Sequence, residues 1–134
     1  MAKINKIHHV AIVVPEIEEA LVFWRDTLGL QVSKLENVPS QKSEVACMML
    51  GEVEIELVKP TTDDSGVAKF LKERGPGLHH ICIEVEDIEE MLSDLKTKNI
   101  RLINETPIVL EGRKMAFIHP KSTGGVLLEL YQLI

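Results

Sequence analysis

A repeated motif constrains the fold of this chain more strongly than any other feature of its sequence. The segment from His8 to Leu21 resembles the segment from His79 to Leu92 at a constant offset of 71 residues. Each segment starts with two histidines, continues as an apolar stretch and reaches the tripeptide Ile-Glu-Glu. Self-similarity of this kind predicts two equivalent supersecondary modules within the 134 residues.

Each module is predicted to contain one amphipathic helix. In the first half, Ile17, Leu21, Trp24 and Leu28 form a single apolar stripe at helical spacing, and Gly29 supplies a left-handed cap. The second half repeats this pattern with Ile88, Leu92, Leu95 and Asn99. The two helices are therefore expected to end in the same way.

Short strand candidates precede and follow each helix. Those that follow cover residues 30–35, 45–50 and 53–58, then 101–104, 114–118 and 126–131. Both halves therefore read β-α-β-β-β, and a further helix over residues 67–74 joins them. We predict an α+β fold in a single domain, with repeats at about residues 5–60 and 77–133.

The chain is acidic, and this excludes some classes of partner. Its 15 Lys and Arg residues against 21 Asp and Glu residues give a net charge of −6. A nucleic-acid-binding protein needs a basic stripe to displace counterions, so a nucleic-acid partner is not expected. An anionic ligand would have to be held by a few local lysines or by a metal ion.

Composition also bears on the compartment. No apolar run approaches the roughly 18 residues of a spanning helix, and the first residues do not lead into a signal-peptide core. We therefore predict a cytoplasmic location and no membrane partner. Cys47 and Cys82 are 35 residues apart and form no Cys-x-x-Cys motif, which excludes a disulfide scaffold and a zinc ribbon.

The last strand of each module contributes one matched glutamate. Residues 53–57 align with residues 126–130, which matches Glu56 with Glu129 and Glu54 with Leu127. Both matched carboxylates interrupt apolar runs, and a buried carboxylate is costly unless a partner such as a cation neutralises it. Glu56 is therefore a better functional candidate than Glu54.

Two histidines and two glutamates at equivalent positions form a set of metal-ligand type. Modules packed with approximate two-fold symmetry would bring one histidine and one glutamate from each to a shared ion. The repeat does not distinguish His8 from His9, or His79 from His80. Imidazole favours zinc, cobalt, nickel or iron, carboxylates admit manganese, and no thiolate is offered. The pattern predicts one divalent ion with open positions for water or substrate oxygens.

Three other features have a structural interpretation beside a functional one. Cys82 shares strand parity with His80 but is expected to be a buried small hydrophobe. His119 precedes Pro120 and is expected in a turn. The run from Lys121 to Gly125 is equally consistent with an anion-binding loop and with a flexible hairpin.

These residues resemble the vicinal-oxygen-chelate superfamily and, within it, the methylmalonyl-CoA epimerase family. The resemblance runs from Ile7 to Leu130, almost the whole chain. Its most specific stretch is HPKSTGGVLLEL, from His119 to Leu130, where the related glyoxalase I proteins typically carry an Asp-Pro-Asp-Gly type of turn.

The resemblance implies a glyoxalase-like fold, in which the paired modules form a cupped mixed sheet around a metal site, usually in a homodimer. It implies one divalent ion per site, either cobalt, nickel, manganese or zinc. It also implies epimerisation of an acyl-CoA thioester, methylmalonyl-CoA, by proton removal and return through a metal-stabilised enolate. The implied metal ligands are His9, Glu56, His80 and Glu129. Candidates for holding the CoA moiety, by charge alone, are Lys69, Lys72, Arg113 and Lys121.

Epimerisation requires one base on each face of the substrate carbon. We hypothesise that Glu129 serves one face and that Glu56 serves the other. Some members of the family carry the second base on the third strand, at a position that corresponds here to Ala46. Glu44, two residues earlier on the same strand face, is the alternative candidate.

Two other functions fit the same residues. Glyoxalase I shares the enolate chemistry and the ligand set but acts on a glutathione hemithioacetal. A non-catalytic small-molecule binding module of the resistance type shares the fold but does not need two histidines and two glutamates at one ion. Metal analysis and assays with both substrates distinguish the three.

Overall fold

The computed structural model describes residues 2–134, which divide into two compact units. One unit comprises residues 9–79 and is termed the first module. The other comprises residues 80–134 together with the residues up to His8, and is termed the second module.

The first module follows the predicted order of elements. These are β1 (Ile4–Val13), α1 (Ile17–Leu21), β2 (Val32–Val38), β3 (Ser43–Leu50), β4 (Val53–Pro60) and α2 (Gly66–Arg74). The part of β1 up to His8 belongs to the second module. A π-helical turn (Val22–Thr27) continues α1, and a 3-10 turn (Pro39–Gln41) precedes β3. The strands run β2-β3-β4-β1. Strand β1 is parallel to β4, and the other pairs are antiparallel.

The second module has the same topology. Its elements are β5 (Gly77–Val85), α3 (Ile88–Thr97), β6 (Ile108–Leu110), β7 (Arg113–Ile118) and β8 (Leu128–Leu133). The part of β5 up to His79 belongs to the first module. A 3-10 turn (Pro120–Ser122) lies between β7 and β8. The strands run β5-β8-β7-β6, with β5 parallel to β8 and the other two pairs antiparallel. The repeat in the sequence is therefore a repeat in the fold.

Each module buries one face of its sheet against its own helix. In the first module the buried cluster on α1 comprises Val14, Leu21, Ala46, Met48 and Leu57. In the second module the cluster on α3 includes Val85, Ile88, Leu92, Ala116 and Leu130. Each large apolar side chain buried in this way stabilises the fold by about 1.5–3 kcal/mol. The other face of each sheet is left for the polar residues described below.

Side-chain caps fix where two of the helices begin. The carboxylate of Asp87 accepts a hydrogen bond from the Glu90 backbone N–H at 3.0 Å, which starts α3. The hydroxyl of Ser65 accepts from the Ala68 N–H at 3.0 Å and starts α2. A cap of this type contributes about 1 kcal/mol.

The apolar stripe predicted for the first helix is correct for three of its four members. Ile17, Leu21 and Trp24 pack in the α1 cluster, whereas Leu28 is 55% exposed. The cause is the π-helical turn, in which the Leu28 N–H donates to the Phe23 carbonyl five residues earlier at 2.8 Å. One extra residue in the turn rotates Leu28 away from the stripe.

The two helical segments end alike, as the sequence predicts. Gly29 has φ +94° and Asn99 has φ +59°, so both lie in the left-handed region that glycine and asparagine tolerate.

The strand predicted over residues 101–104 is wrong. This segment forms only an isolated bridge, between Leu102 and Ile118. The strand that pairs with β7, on the edge away from β8, is β6, several residues later. Asn104 explains part of the difference, because its side-chain carbonyl accepts the Phe117 N–H at 2.8 Å in place of a strand backbone.

The N-terminal segment is bound to the second module. The Glu86 N–H donates to the Lys3 carbonyl at 3.0 Å, and the Asn5 side-chain amide donates to the Glu84 carboxylate at 3.0 Å. The sequence repeat does not predict this attachment.

Among residues 2–134, no helix has the length and apolar character needed to cross a membrane.

We predict that Leu92→Ala lowers the free energy of unfolding by about 2–5 kcal/mol, because the 2% exposed side chain leaves a cavity between α3 and the sheet. Urea denaturation measures the change. The matched control is Leu133→Ala, at a leucine that is 56% exposed, for which we expect a change within about 0.5 kcal/mol. Equal losses in the two variants would contradict this assignment of the core.

Candidate functional site

In the first module, His9 on β1 contacts Glu56 on β4. The Nδ1 atom of His9 lies 3.2 Å from a carboxylate oxygen of Glu56. The side chain of His9 is 4% exposed and that of Glu56 is 15% exposed. An imidazole and a carboxylate that the sequence separates by 47 residues are thus neighbours with little access to water.

The second module repeats this contact on its own sheet. The Nε2 atom of His80 on β5 lies 2.9 Å from a carboxylate oxygen of Glu129 on β8. The side chains are 10% and 3% exposed, respectively. The structure therefore brings together the histidine and the glutamate of each module that the family resemblance implies.

The same strand register produces both contacts. Glu56 lies opposite Ala11, and Glu129 lies opposite Cys82, in the parallel pairs of the two modules. Each histidine is two residues before the residue opposite the glutamate. Because residues two apart on a strand share a face, histidine and glutamate point to the same side of the sheet.

The neighbouring histidine of each pair packs against an aromatic ring. His8 stacks on Tyr131 with 4.4 Å between ring centroids, and His79 meets the ring of Phe70 edge-on at 5.0 Å. In each His-His pair, the second histidine contacts its module's matched glutamate. This supports the choice of His9 and His80 that the sequence repeat alone could not make.

The donor atoms fit a divalent cation. Two ligand atoms about 2.1 Å from an ion, at right angles to each other, are about 3.0 Å apart. The nitrogen-to-oxygen distances of 3.2 Å and 2.9 Å are close to that spacing. Imidazole nitrogen and carboxylate oxygen are ligands of the borderline transition metals. Coordination of one shared ion by both histidine–glutamate pairs stays a prediction.

Glu54 also lies near the pair of the first module. It is directly opposite His9 on β4, and ligand atoms of His9, Glu54 and Glu56 lie within 4.8 Å of one another. The direct contact with His9 supports Glu56 as the ligand. Glu54 is a second carboxylate nearby, and it makes the electrostatic potential at the pair more negative.

Glu44 lies on the other face of the first sheet. On β3 it is opposite Lys59, and the carboxylate is 3.9 Å from the Lys59 ammonium. Ala46, on the same face, is fully buried in the cluster on α1. Both positions considered for a base on the third strand therefore face the helix. The β3 residue opposite Glu56 is Cys47.

Both cysteines are buried on the faces that carry the histidine and glutamate. Cys82 is fully buried, as the sequence predicts, and Cys47 is 4% exposed. Burial, with a smaller effect of the Glu56 charge, raises the pKa of the Cys47 thiol to about 12. Cys47 is therefore a protonated, neutral neighbour of Glu56 at physiological pH.

The sequence analysis missed Phe117. This residue of β7 is directly opposite Glu129, and its ring meets the His80 ring edge-on at 5.4 Å. It covers the His80–Glu129 pair with apolar surface. The sequence could have indicated Phe117 only through its position opposite the matched glutamate. That position depends on the register of β7 with β8, which the sequence alone does not give.

The remaining candidates lie outside these contacts. Lys69 and Lys72 are on α2, and the Arg113 guanidinium lies 6.0 Å from the Tyr131 ring centroid. His119 is in a turn, as expected, where its Nδ1 accepts the Lys121 N–H at 3.0 Å.

Comparison with known proteins first identifies the class. The sequence profile described as the Glyoxalase/Bleomycin resistance protein/Dioxygenase superfamily matches residues 8–117. The chain therefore belongs to this superfamily, and the expected glyoxalase-like fold of paired modules is confirmed.

Within the superfamily, the chain belongs to the methylmalonyl-CoA epimerase family. It is 43% identical to a mouse (Mus musculus) protein named mitochondrial methylmalonyl-CoA epimerase, over 97% of this chain and 74% of the relative. It is 39% identical to the ethylmalonyl-CoA/methylmalonyl-CoA epimerase of Cereibacter sphaeroides, over 97% and 99%. A solved methylmalonyl-CoA epimerase in complex with methylmalonyl-CoA and ammonium superposes with a TM-score of 0.91 at 29% identity, over 98% and 96% of the two chains.

We predict that neither thiol reacts with iodoacetamide in the folded protein. With a pKa of about 12, about one Cys47 thiol in ten thousand is ionised at pH 8, and only the thiolate reacts. Mass spectrometry counts the alkylated cysteines, and both should react in guanidinium. The Cys82→Ser variant isolates Cys47, whose rapid alkylation in the native state would contradict this prediction.

We predict that the wild-type chain binds divalent cobalt or zinc and that His80→Ala weakens binding by more than about 100-fold, because a ligand is lost. Equilibrium dialysis followed by elemental analysis measures the metal content. The matched control is His79→Ala, which changes the neighbouring histidine that packs on Phe70 and should bind as the wild type does. Equal binding by the two variants would exclude His80 as a ligand.

Proposed function

We propose that this protein is a metal-dependent epimerase of methylmalonyl-CoA. The observation that carries the proposal is the buried histidine–glutamate contact that both modules form at equivalent positions. Membership of the epimerase family supports the substrate, since a relative has been solved in complex with methylmalonyl-CoA. We name His9, Glu56, His80 and Glu129 as the side chains that would hold the metal.

The substrate explains why such a site is useful. The carbon to be inverted carries one hydrogen and lies between a thioester carbonyl and a carboxylate, so loss of the proton leaves an enolate. The divalent cation would act as a Lewis acid that stabilises negative charge on the substrate oxygens. Its charge would also offset that of the ionised glutamate, so an anionic substrate would not be repelled.

We assign the two proton transfers to Glu129 and Glu56. The Glu129 carboxylate takes the proton from one face, and the electron pair of the C–H bond passes to the thioester carbonyl. Protonated Glu56 then returns a proton to the opposite face. The turnover leaves Glu129 protonated and Glu56 ionised, which is the state that the reverse reaction needs. Each carboxylate has two oxygens, so one can serve the metal while the other carries the proton.

Phe117 and the burial of the pair support this assignment. Glu129 is 3% exposed, and the Phe117 ring lies against its histidine partner. A dry environment strengthens the interaction between the carboxylates and any charge near them. It also limits protonation of the enolate by bulk water.

Membership of the family supports an acyl-CoA thioester as the partner. A homodimer remains a prediction. A cytoplasmic location also remains a prediction, because the mouse relative is named as a mitochondrial protein. Glyoxalase I activity is the alternative, and relatives named as lactoylglutathione lyases are 23–26% identical to this chain.

The direct test is to incubate the purified protein with one epimer of methylmalonyl-CoA in deuterated water and follow the reaction by NMR. We expect inversion with incorporation of deuterium, loss of activity after treatment with a chelator, and recovery with cobalt, nickel, manganese or zinc. Turnover of the glutathione hemithioacetal without epimerisation would favour glyoxalase I instead.

We predict that Glu129→Gln and Glu56→Gln each lower the rate of epimerisation by about 100- to 10,000-fold, because each removes one acid–base group. With Glu56 replaced, Glu129 should still exchange the proton of one epimer with solvent deuterium. The matched control is Glu44→Gln, on the face of β3 that packs against α1, which should retain wild-type activity. Loss of inversion in the control would move the second base to Glu44.

A further inference from the structure

The carboxylate of Glu54 is a feature of the first module that the proposed reaction does not use. On β4, Glu54 is directly opposite His9 of β1 on one side and Met49 of β3 on the other. It is two residues before Glu56, so the two carboxylates share a face of the sheet. Ligand atoms of His9, Glu54 and Glu56 all lie within 4.8 Å of one another. The first module therefore brings a second carboxylate to its histidine–glutamate contact.

The pKa of Cys47 supports the same placement of both carboxylates. Cys47 is directly opposite Glu56 on β3. Burial is the largest cause of the raised pKa of its thiol, and the charges of Glu56 and then of Glu54 are the next causes. A nearby negative charge disfavours the thiolate in this way. The Glu54 carboxylate is therefore close enough to act on the buried thiol at the centre of this face.

No basic side chain of the described residues compensates Glu54. Within residues 2–134, no lysine or arginine nitrogen lies within 4.0 Å of its carboxylate. Lys34, whose charge also acts on Cys47, is paired with Glu36 at 3.0 Å. Glu54 is only partly exposed, so water screens its repulsion from the neighbouring carboxylate incompletely. A bound cation would replace that repulsion with attraction.

The second module has no equivalent of this carboxylate. The alignment of the last strands places Leu127 where the first module has Glu54. At the matched positions, the second module offers the nitrogen of His80 and the oxygens of Glu129. The first module offers one histidine and two carboxylates. The two modules are therefore alike in fold but unequal in ligand atoms.

The spacing in the first module fits three ligands around one ion. Ligand atoms about 2.1 Å from an ion are about 3.0 Å apart at right angles and about 4.2 Å apart on opposite sides. Separations within 4.8 Å reach this range when a carboxylate turns slightly, and the terminal torsion of glutamate is broad enough to allow that turn. Affinity for a divalent cation also rises with the number of charged ligands.

We infer that Glu54 is a third metal ligand of the first module, beside His9 and Glu56. The inference rests on the proposed function for the presence of a divalent ion. It goes beyond that function because it gives the two modules unequal shares in holding the ion.

The test compares the cobalt affinity of Glu54→Leu with that of the wild type by equilibrium dialysis. This change gives the first module the residue that the second module has. We expect binding to weaken by at least about 10-fold. The loss should persist in about 1 M salt, which screens charges more than about 3 Å apart. The visible absorption of bound cobalt should also change, because water replaces a carboxylate oxygen. Glu54→Gln, which is closer in shape, serves if the leucine variant does not fold.

The matched control is Glu36→Leu, which removes the same charge from the same face of the sheet. Glu36 is on β2, opposite Val45, and its charge also acts on Cys47. This variant should bind cobalt as the wild type does in high salt and should leave the absorption unchanged. If Glu54→Leu behaved like this control, or if its effect disappeared in high salt, Glu54 would act through its charge alone and the inference would be wrong.

Metal binding and catalysis are measured separately, so the two proposals can fail separately. If the wild type binds cobalt but does not epimerise methylmalonyl-CoA, the proposed function fails and dialysis alone decides the inference. If the wild type epimerises the substrate but the Glu54 variants bind cobalt as tightly as it does, the inference fails and the proposed function stands. A wild type that binds no divalent cation would also overturn the inference.

Discussion

The parallel pairing of the first and last strands of each module is the interaction on which the site depends. In each module, the residue opposite the glutamate is the second residue after the histidine. This register occurs in β1 with β4 and again in β5 with β8. A shift of one residue in either register would move the glutamate to the helix-packed face. The cores on α1 and α3 oppose such a shift, because it would also expose their apolar residues. Packing on one face therefore maintains the chemistry of the other.

The buried carboxylates explain why this arrangement is costly without a cation. Glu129 is 3% exposed among apolar neighbours, and a buried charge without compensation costs several kcal/mol. An adjacent imidazole compensates part of that cost. A divalent cation beside the pair compensates more, since its two positive charges exceed the single negative charge of the carboxylate. Each histidine–glutamate pair thus has the electrostatic properties of metal ligands.

Much of this was predictable from the sequence, because the repeat carries topology and positions together. The offset of 71 residues matched His9 with His80 and Ile17 with Ile88, and the structure confirms the order of elements. Alternation along a strand predicts which residues share a face, but it does not say which face meets the helix. For this reason, alternation alone leaves Glu44 as a catalytic candidate although it faces α1. Apolar spacing places Leu28 on the helix stripe because a π-helical turn leaves no clear signal in that spacing.

The sequence does not predict contacts between distant segments, for a different reason. The role of Phe117 depends on the register of β7 with β8, and the bond from the Arg101 N–H to the Ser122 hydroxyl joins residues 21 apart. Such contacts arise from packing, and a single sequence contains no pattern that reports them. The segment of residues 101–104 is similar, since Asn104 replaces strand pairing with a side-chain bond.

The attachment of the N-terminal segment to the second module has a consequence for synthesis on the ribosome. The Asn5 side chain bonds to Glu84, 79 residues later, so this contact cannot form until β5 has been translated. Closing a loop of this length costs entropy and delays the pairing. The bond between these two segments is therefore a late event, which follows synthesis of all the residues between them.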